Sequence, residues 1–267
     1  MSIKLYTAEA CKNTFIIADC LNLASVDEAH FLTIHQHLVD QQCDDALILK
    51  NAVIMDNNLS IEMLVLGVDQ SLGEFCGNGA RACAAYLHAQ YPKLQFYIKA
   101  QGRNYRLRHY GHSVYGVDLP HVNFIPQKKF IAQSDIFQQT GGFYAWRFQD
   151  HLLYYADVME PHLILNERLS VEEVGQLGQM LNQNDALFPK GINLTVFYQQ
   201  DSCTLAAVTY ERGVQRLTQS CGTGACCAAV FCFQKHQAEI KVQNPGGTLY
   251  ITNHQTGITL KGLAHIT

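Results

Sequence analysis

Among its ten cysteines the chain has no C-x-x-C pair. Thiol-redox pairs usually lie that close in sequence, and zinc sites usually draw on paired ligands, so both readings lose ground. The adjacent Cys226 and Cys227 are poorly spaced for chelation, and no metal site is expected. No apolar run approaches the length of a membrane span. The first fifteen residues lack a basic segment followed by an apolar stretch, so no export signal is visible. Like charges do not gather in runs, and the net charge of −4 offers nothing to a nucleic acid or a membrane surface. Low-complexity segments and long linkers are also missing. The remaining class is a globular protein, expected in a reducing cytoplasm with its thiols free. With 267 residues, 48% of them hydrophobic, it has room for one large domain or two ordinary ones.

Two short segments say nearly the same thing. Cys76-Gly77-Asn78-Gly79-Ala80 lies in the first third, and Cys221-Gly222-Thr223-Gly224-Ala225 in the last quarter. In each, a cysteine meets a Gly-x-Gly turn that opens a helix of small residues. A sulfur at the positive end of a helix is favoured as thiolate. The first backbone N–H groups of such a helix are donors ready to hold an anion. One copy would pass for a buried small hydrophobe beside a tight turn. Two copies point to a pocket with a thiol on each side of a gripped carboxylate, able to take a proton from one face of a carbon and return it to the other.

The surrounding pattern predicts an α+β chain of two pseudo-symmetric halves. The first half, 1–119, carries Cys76 and is joined by the last strand at about 258–267; the second, 120–257, carries Cys221. Strands are expected at 3–6, 14–18, 46–49, 60–66, 94–99, 105–108 and 113–119, and then at 151–158, 193–198, 203–210 and 258–261. Helices are expected over 26–38 with Ser25 as N-cap, over 80–88, over 171–181, and from Gly224 to about Lys235. Ser170 with Glu173 has capping-box spacing. Residues 242–247 read as a turn between strands. Cys83, Cys226 and Cys227 fall past the helix starts, as core residues. Cys11, Cys20, Cys43, Cys203 and Cys232 read as structural thiols, and every histidine but His162 as a surface residue.

These motifs, with Tyr210-Glu211-Arg212-Gly213, Pro161-His162 and Pro245-Gly246-Gly247 in that setting, resemble the diaminopimelate epimerase family of cofactor-independent amino-acid racemases. The resemblance runs from Asn13 to Gly247. It implies two domains of like topology, each a β-barrel-like sheet wrapped around a central helix, with the site in the cleft between them. It assigns acid–base catalysis to Cys76 and Cys221, and implies no cofactor. The carboxylate would be held by backbone donors at Gly77, Asn78, Gly222 and Thr223. Asn13 and Asn193 match substrate-binding asparagines. Arg212 would grip a distal carboxylate, for which a guanidinium fork is suited. Glu211 would bind the amine or help set the cysteines' protonation, and His162 would tune a thiol. The implied partner is a small amino acid, with no nucleic acid and no membrane, and a homodimer is the assembly left open. The activity implied is epimerisation of LL- and meso-diaminopimelate, in the supply of lysine and peptidoglycan precursor.

The departures cluster where substrate identity is decided. Gly67-Val68-Asp69-Gln70-Ser71 lacks the family's asparagine at position 67. Met159-Glu160-Pro161-His162 puts a carboxylate, Glu160, where the family has an amide facing the distal group. The stretch from Gly213 to Ser220 is one residue longer and lacks a second glycine. Catalytic parts are intact while recognition parts are altered. A racemase acting on another amino acid, such as histidine or a basic one, is therefore the alternative. A thiol-redox protein and a ligand-binding module without chemistry are the readings from other classes.

Overall fold

The computed structural model describes residues 3–73, 75–100, 102–233 and 239–267. It divides into two compact units, Met1–Asp118 with Thr259–Thr267, and Leu119–Ile258. Each is a sheet around one buried helix, with a second helix on the outer face. Among the described residues no helix is long and apolar enough to cross a membrane.

In the first unit, Lys4–Ala10 and Asn13–Asp19 form an antiparallel pair. Helix α1, Glu28–Asp40, crosses over to Asp45–Met55, which lies parallel to Asn13–Asp19. Asn58–Gly67 returns antiparallel. Helix α2, Gly77–Gln90, then crosses over to Gln95–Ala100, parallel to Asn58–Gly67. Arg103–His109 and Val114–Leu119 follow as a meander. The chain end closes the wall, since Gly257–Leu263 pairs with Val114–Leu119 and His265–Ile266 pairs with the first strand.

The second unit repeats this order. His151–Val158 and Glu160–Asn166 pair antiparallel. Helix α3, Val171–Asn182, crosses over to Asn193–Gln199, parallel to Glu160–Asn166. Thr204–Glu211 returns, and helix α4, Gly222–Val230, crosses over to Glu239–Asn244. Gly247–His254 follows. Phe143–Phe148 and Gln138–Thr140 extend the other edge.

Strands with a helix on both faces are buried on both faces, and so read as continuous apolar runs. Phe15, Ile16, Ile17 and Ala18 are all buried, as are Ala46, Leu47, Ile48 and Leu49. Their parity sorts them. Ile16, Ala18, Ala46 and Ile48 pack with Ile34 and Leu38 of α1. Leu47 lies on the opposite face, against Gly79 of α2, where an added Cβ would stand 2.7 Å from Leu47 Cδ2. In the second unit Leu163, Leu165, Leu194 and Val196 pack with Val174, Leu177 and Leu181 of α3.

Several local expectations need correction. Helix α1 is capped by Asp27, not Ser25: the Asp27 side chain accepts from the His30 N–H at 3.0 Å, and His30 Nδ1 accepts from the Asp27 N–H at 3.2 Å. Histidine completes this box in place of the usual glutamate, which hid it from the sequence pattern. The box at Ser170 and Glu173 forms as expected. Helix α4 ends at Val230, not near Lys235, a residue outside those described. Phe231 leaves the helix to stack on Phe143 at 4.5 Å and to meet Phe124, Tyr154 and Phe197. Residues 242–244 belong to a strand, leaving Pro245 and Gly246 as the turn. The strand at 258–261 is not the last one. Phe143–Phe148 and Glu160–Asn166 were missed. In the second of these, Pro161 disguises the strand start.

The α3 packing yields a paired test. A Cβ on Gly178 would lie 2.3 Å from Tyr210 Cγ and 2.6 Å from its Cβ, atoms that cannot swing aside. Nothing lies within 4 Å of a Cβ on Gly175, one turn away. In urea denaturation, Gly178→Ala is expected to lose about 1–3 kcal/mol to overpacking. Gly175→Ala is expected to gain about 0.5–1 kcal/mol from the helix preference of alanine.

Candidate active site

Each unit builds a half-site at the N-terminus of its buried helix. In the first, Cys76 is the N-cap of α2, with extended backbone at φ −137° and ψ 116°. Its sulfur accepts from the Gly79 N–H at 3.2 Å and is partly exposed. Gly77 and Asn78 are buried in the first turn. Arg81, one turn on, has no exposure; it donates to Asn78 Oδ1 at 2.5 Å and to the Leu263 carbonyl at 2.7 Å. Asn13 begins its strand on the same parity as Phe15 and Ile17, the face opposite α1. Its amide donates to the Cys11 carbonyl at 3.3 Å, within a turn where Cys11 and Lys12 have φ of 52° and 60°. Gly67 ends the strand Asn58–Gly67 at a turn closed by Asp69 and Ser71. A Cβ there would lie 2.8 Å from Asp69 Oδ1.

In the second half-site, Cys221 is the N-cap of α4, at φ −118° and ψ 112°, and is buried. Its sulfur is 3.4 Å from Thr223 Oγ1. Strand parity supplies the rest. Leu163, Leu194 and Tyr210 point toward α3, so Glu160, His162, Asn193, Thr195, Thr209 and Glu211 point to the other face, toward α4. His162 Nε2 is 2.9 Å from Thr223 Oγ1, and its Nδ1 is 2.9 Å from Thr195 Oγ1. Thr195 Oγ1 in turn lies 2.9 Å from Thr209 Oγ1. Gly224 lets the helix sit this low: a Cβ there would be 2.5 Å from Thr195 Oγ1 and 2.7 Å from Thr209 Oγ1.

The electrostatics follow from enclosure. His162 has no exposed surface, and burial, helped by the Arg212 charge, pulls its pKa down from 6.5 to about 3. The ring is therefore neutral at physiological pH, one nitrogen donating and the other accepting. Glu211 is pushed above the ordinary carboxyl range by desolvation, against hydrogen bonds from Thr218 and Cys221. Thr218 Oγ1 donates to Glu211 Oε1 at 2.6 Å. Elsewhere burial raises the thiols: Cys20 and Cys232 to about 11, and Cys83 and Cys227 higher still. Those four stay protonated, as core thiols should. Cys203 is exposed, and none of the other described histidines is buried. Among the described residues no group of three or more His, Cys, Asp or Glu could hold a metal ion.

Two recognition residues are engaged within the protein. Asn193 Nδ2 donates to the Pro161 carbonyl at 3.0 Å, and its Oδ1 accepts from the Arg212 N–H at 3.0 Å, so its amide fixes the Arg212 backbone. Glu160 Oε2 accepts from Arg212 Nη2 at 2.6 Å. The sequence reading missed Thr195, Thr209 and Thr218. Parity on their strands would have placed Thr195 and Thr209, had the strand holding His162 been recognised.

No family model matches the chain. Over 209 residues it is 31% identical to a diaminopimelate epimerase of Xylella fastidiosa, covering 75% of this chain and 72% of that protein. Over 202 residues it is 30% identical to a diaminopimelate epimerase of Thermotoga maritima, covering 73% of each. Among solved structures, a phenazine biosynthesis protein of the PhzF family from Enterococcus faecalis matches with a TM-score of 0.63 at 13% identity, over 100% of this chain and 97% of that one. A hydroxyproline epimerase from Agrobacterium vitis matches with a TM-score of 0.62 at 13% identity, over 100% and 91%. At that identity the structural matches speak for the fold alone.

The buried imidazole sets a pH dependence. Between pH 6.5 and about 3 the unfolded chain binds a proton that folded His162 refuses. Its contribution to stability is therefore whole above pH 6.5 and declines as pH falls, by up to about 1.4 kcal/mol per unit. Urea unfolding at pH 7 and pH 5 should show wild type losing about 2 kcal/mol more than His162→Gln. Equal losses would mean that His162 is not held neutral.

Proposed function

Since this chain belongs to the diaminopimelate epimerase family and is an isomerase of the epimerase and racemase type, we propose that it inverts the α-carbon of an amino acid using Cys76 and Cys221 as base and acid. One thiolate takes the α-proton, and the thiol of the other cysteine gives a proton to the opposite face. The two cysteines thereby exchange protonation states, and the next turnover can run from the other enantiomer. The observation that carries this reading is the duplication: topologically matching helices α2 and α4 are both capped by a cysteine and both open on Gly-x-Gly.

An α-proton is a very weak acid, so the carboxylate must be stabilised as it becomes dianionic. Preorganised donors at a helix end supply that at little reorganisation cost. The reading gives this role to the N–H groups of Gly77, Asn78, Gly222 and Thr223, with Asn13 as a further substrate contact. Glu211 shares a hydrogen bond with Cys221 and has a carboxyl pKa raised by burial. It is suited to take the Cys221 proton and hold it while the thiolate acts. His162 is neutral and acts on Cys221 through the Thr223 hydroxyl.

Two substrate readings stand. The first is diaminopimelate, taken as its LL and meso isomers; the names of the curated relatives support diaminopimelate. The second is a racemase of another amino acid such as histidine or a basic one; the Glu160 contact with Arg212 favours its histidine member, since it leaves neither group free to take an added charge.

The mechanism is tested by α-hydrogen exchange in deuterated water, read by mass spectrometry on diaminopimelate isomers and a panel of L-amino acids. Wild type should incorporate one α-deuterium. Cys76→Ala and Cys221→Ala should each lose at least about 10³-fold in racemisation, read as deuterium in the inverted product, the scale of a missing general acid or base. Circular dichroism of both should stay near wild type. Near-normal racemisation in either variant would remove the two-thiol mechanism.

A further inference from the structure

The epimerase reading leaves open which part of the site reads the substrate's side chain. Arg212 stands beside that machinery: it follows Glu211, and its charge reaches His162. Its backbone N–H is held by Asn193, and a Cβ on Gly191 would come within 3.0 Å of Arg212 Cβ, so the side chain leaves a fixed point. The guanidinium lies over the Phe130 ring, 5.5 Å from its centroid. Nη2 donates to Glu160 Oε2 at 2.6 Å, while Nη1 is buried with no hydrogen-bond partner. Asp157, a buried carboxylate, also feels the Arg212 charge.

From this geometry we infer that Arg212 and Glu160 form a charge-neutral reading head, whose Nη1 donor takes a neutral hydrogen-bond acceptor on the substrate side chain and not a second carboxylate. The inference rests on the epimerase reading above and names its substrate class. The guanidinium fork binds a carboxylate well when its charge is free. Here Glu160 already occupies one limb and cancels the charge. An incoming carboxylate would gain one hydrogen bond and meet Glu160 with like charge. A buried donor without a partner is costly, and an acceptor that brings no charge relieves this cost without repulsion. Imidazole nitrogen, amide carbonyl and hydroxyl oxygen all qualify. An ammonium does not, since it has no lone pair for Nη1.

The test compares kcat/KM for α-deuterium exchange on L-histidine, L-glutamine, L-lysine and LL-diaminopimelate, using the full-length wild type and Glu160→Gln. Wild type should favour histidine or glutamine over diaminopimelate by roughly tenfold or more, the ratio that about 1.4 kcal/mol represents. Glu160→Gln keeps an acceptor for Nη2 but frees the charge, and should shrink that preference about tenfold, mainly through a lower KM for diaminopimelate. A wild type that prefers diaminopimelate or lysine overturns the inference, as does a preference that Glu160→Gln leaves unchanged. The wild-type ranking decides alone should the variant not fold. Exchange with no diaminopimelate isomer and no amino acid of the wider panel would remove the epimerase reading itself, whereas exchange led by any amino acid without a neutral side-chain acceptor removes only this inference.

Discussion

The close seating of two small-residue helices inside their sheets is the constraint on which the rest depends. A Cβ on Gly79 would collide with Leu47, and one on Gly224 with Thr195 and Thr209. Glycine at both positions lets the first helical turn press against the strands. The cysteine in front is thereby presented from an extended N-cap. A larger residue would lift the helix and move the sulfur. The alanines and cysteines that follow fill the limited space between helix and wall. Ala82, Cys83 and Ala84 do so in α2, and Cys226, Cys227 and Ala228 in α4.

Strand alternation then sorts the second unit's chemistry from its packing. Odd and even residues of Glu160–Asn166 serve different layers: Leu163 and Leu165 meet α3, while Glu160 and His162 look toward α4. Asn193–Gln199 and Thr204–Glu211 divide in the same way. A one-residue slip in any of these three strands would exchange core for site. The capping box of α3 and its fit against Tyr210 therefore bear on the active site, since α3 holds those strands from behind.

Enclosure sets the protonation states. The same desolvation that leaves His162 neutral raises Glu211 and keeps the core thiols protonated. Neutral His162 can hold the Thr223 hydroxyl without adding charge beside Cys221. Around Arg212 the pattern differs, because an ion pair takes up the cation before any substrate arrives.

Much of this was legible in the chain itself. The duplicated Cys-Gly-x-Gly segments, the apolar runs of doubly covered strands and the Ser170 box are all local signals. They come from backbone preference and periodicity, which neighbouring residues determine. The Asp27 cap is local too, but its partner is a histidine and the pattern went unseen. Other features had no local signal at all. Glu160 and Arg212 are far apart in sequence, and the parallel pairing of Glu160–Asn166 with Asn193–Gln199, the antiparallel pairing of that strand with Thr204–Glu211 and the Asn193 amide together bring them within 2.6 Å. The sequence could show that a carboxylate had replaced an amide. Whether that carboxylate would meet the substrate or the protein's own arginine depended on register between distant strands, and a hydrogen bond across such a distance is decided by tertiary structure alone.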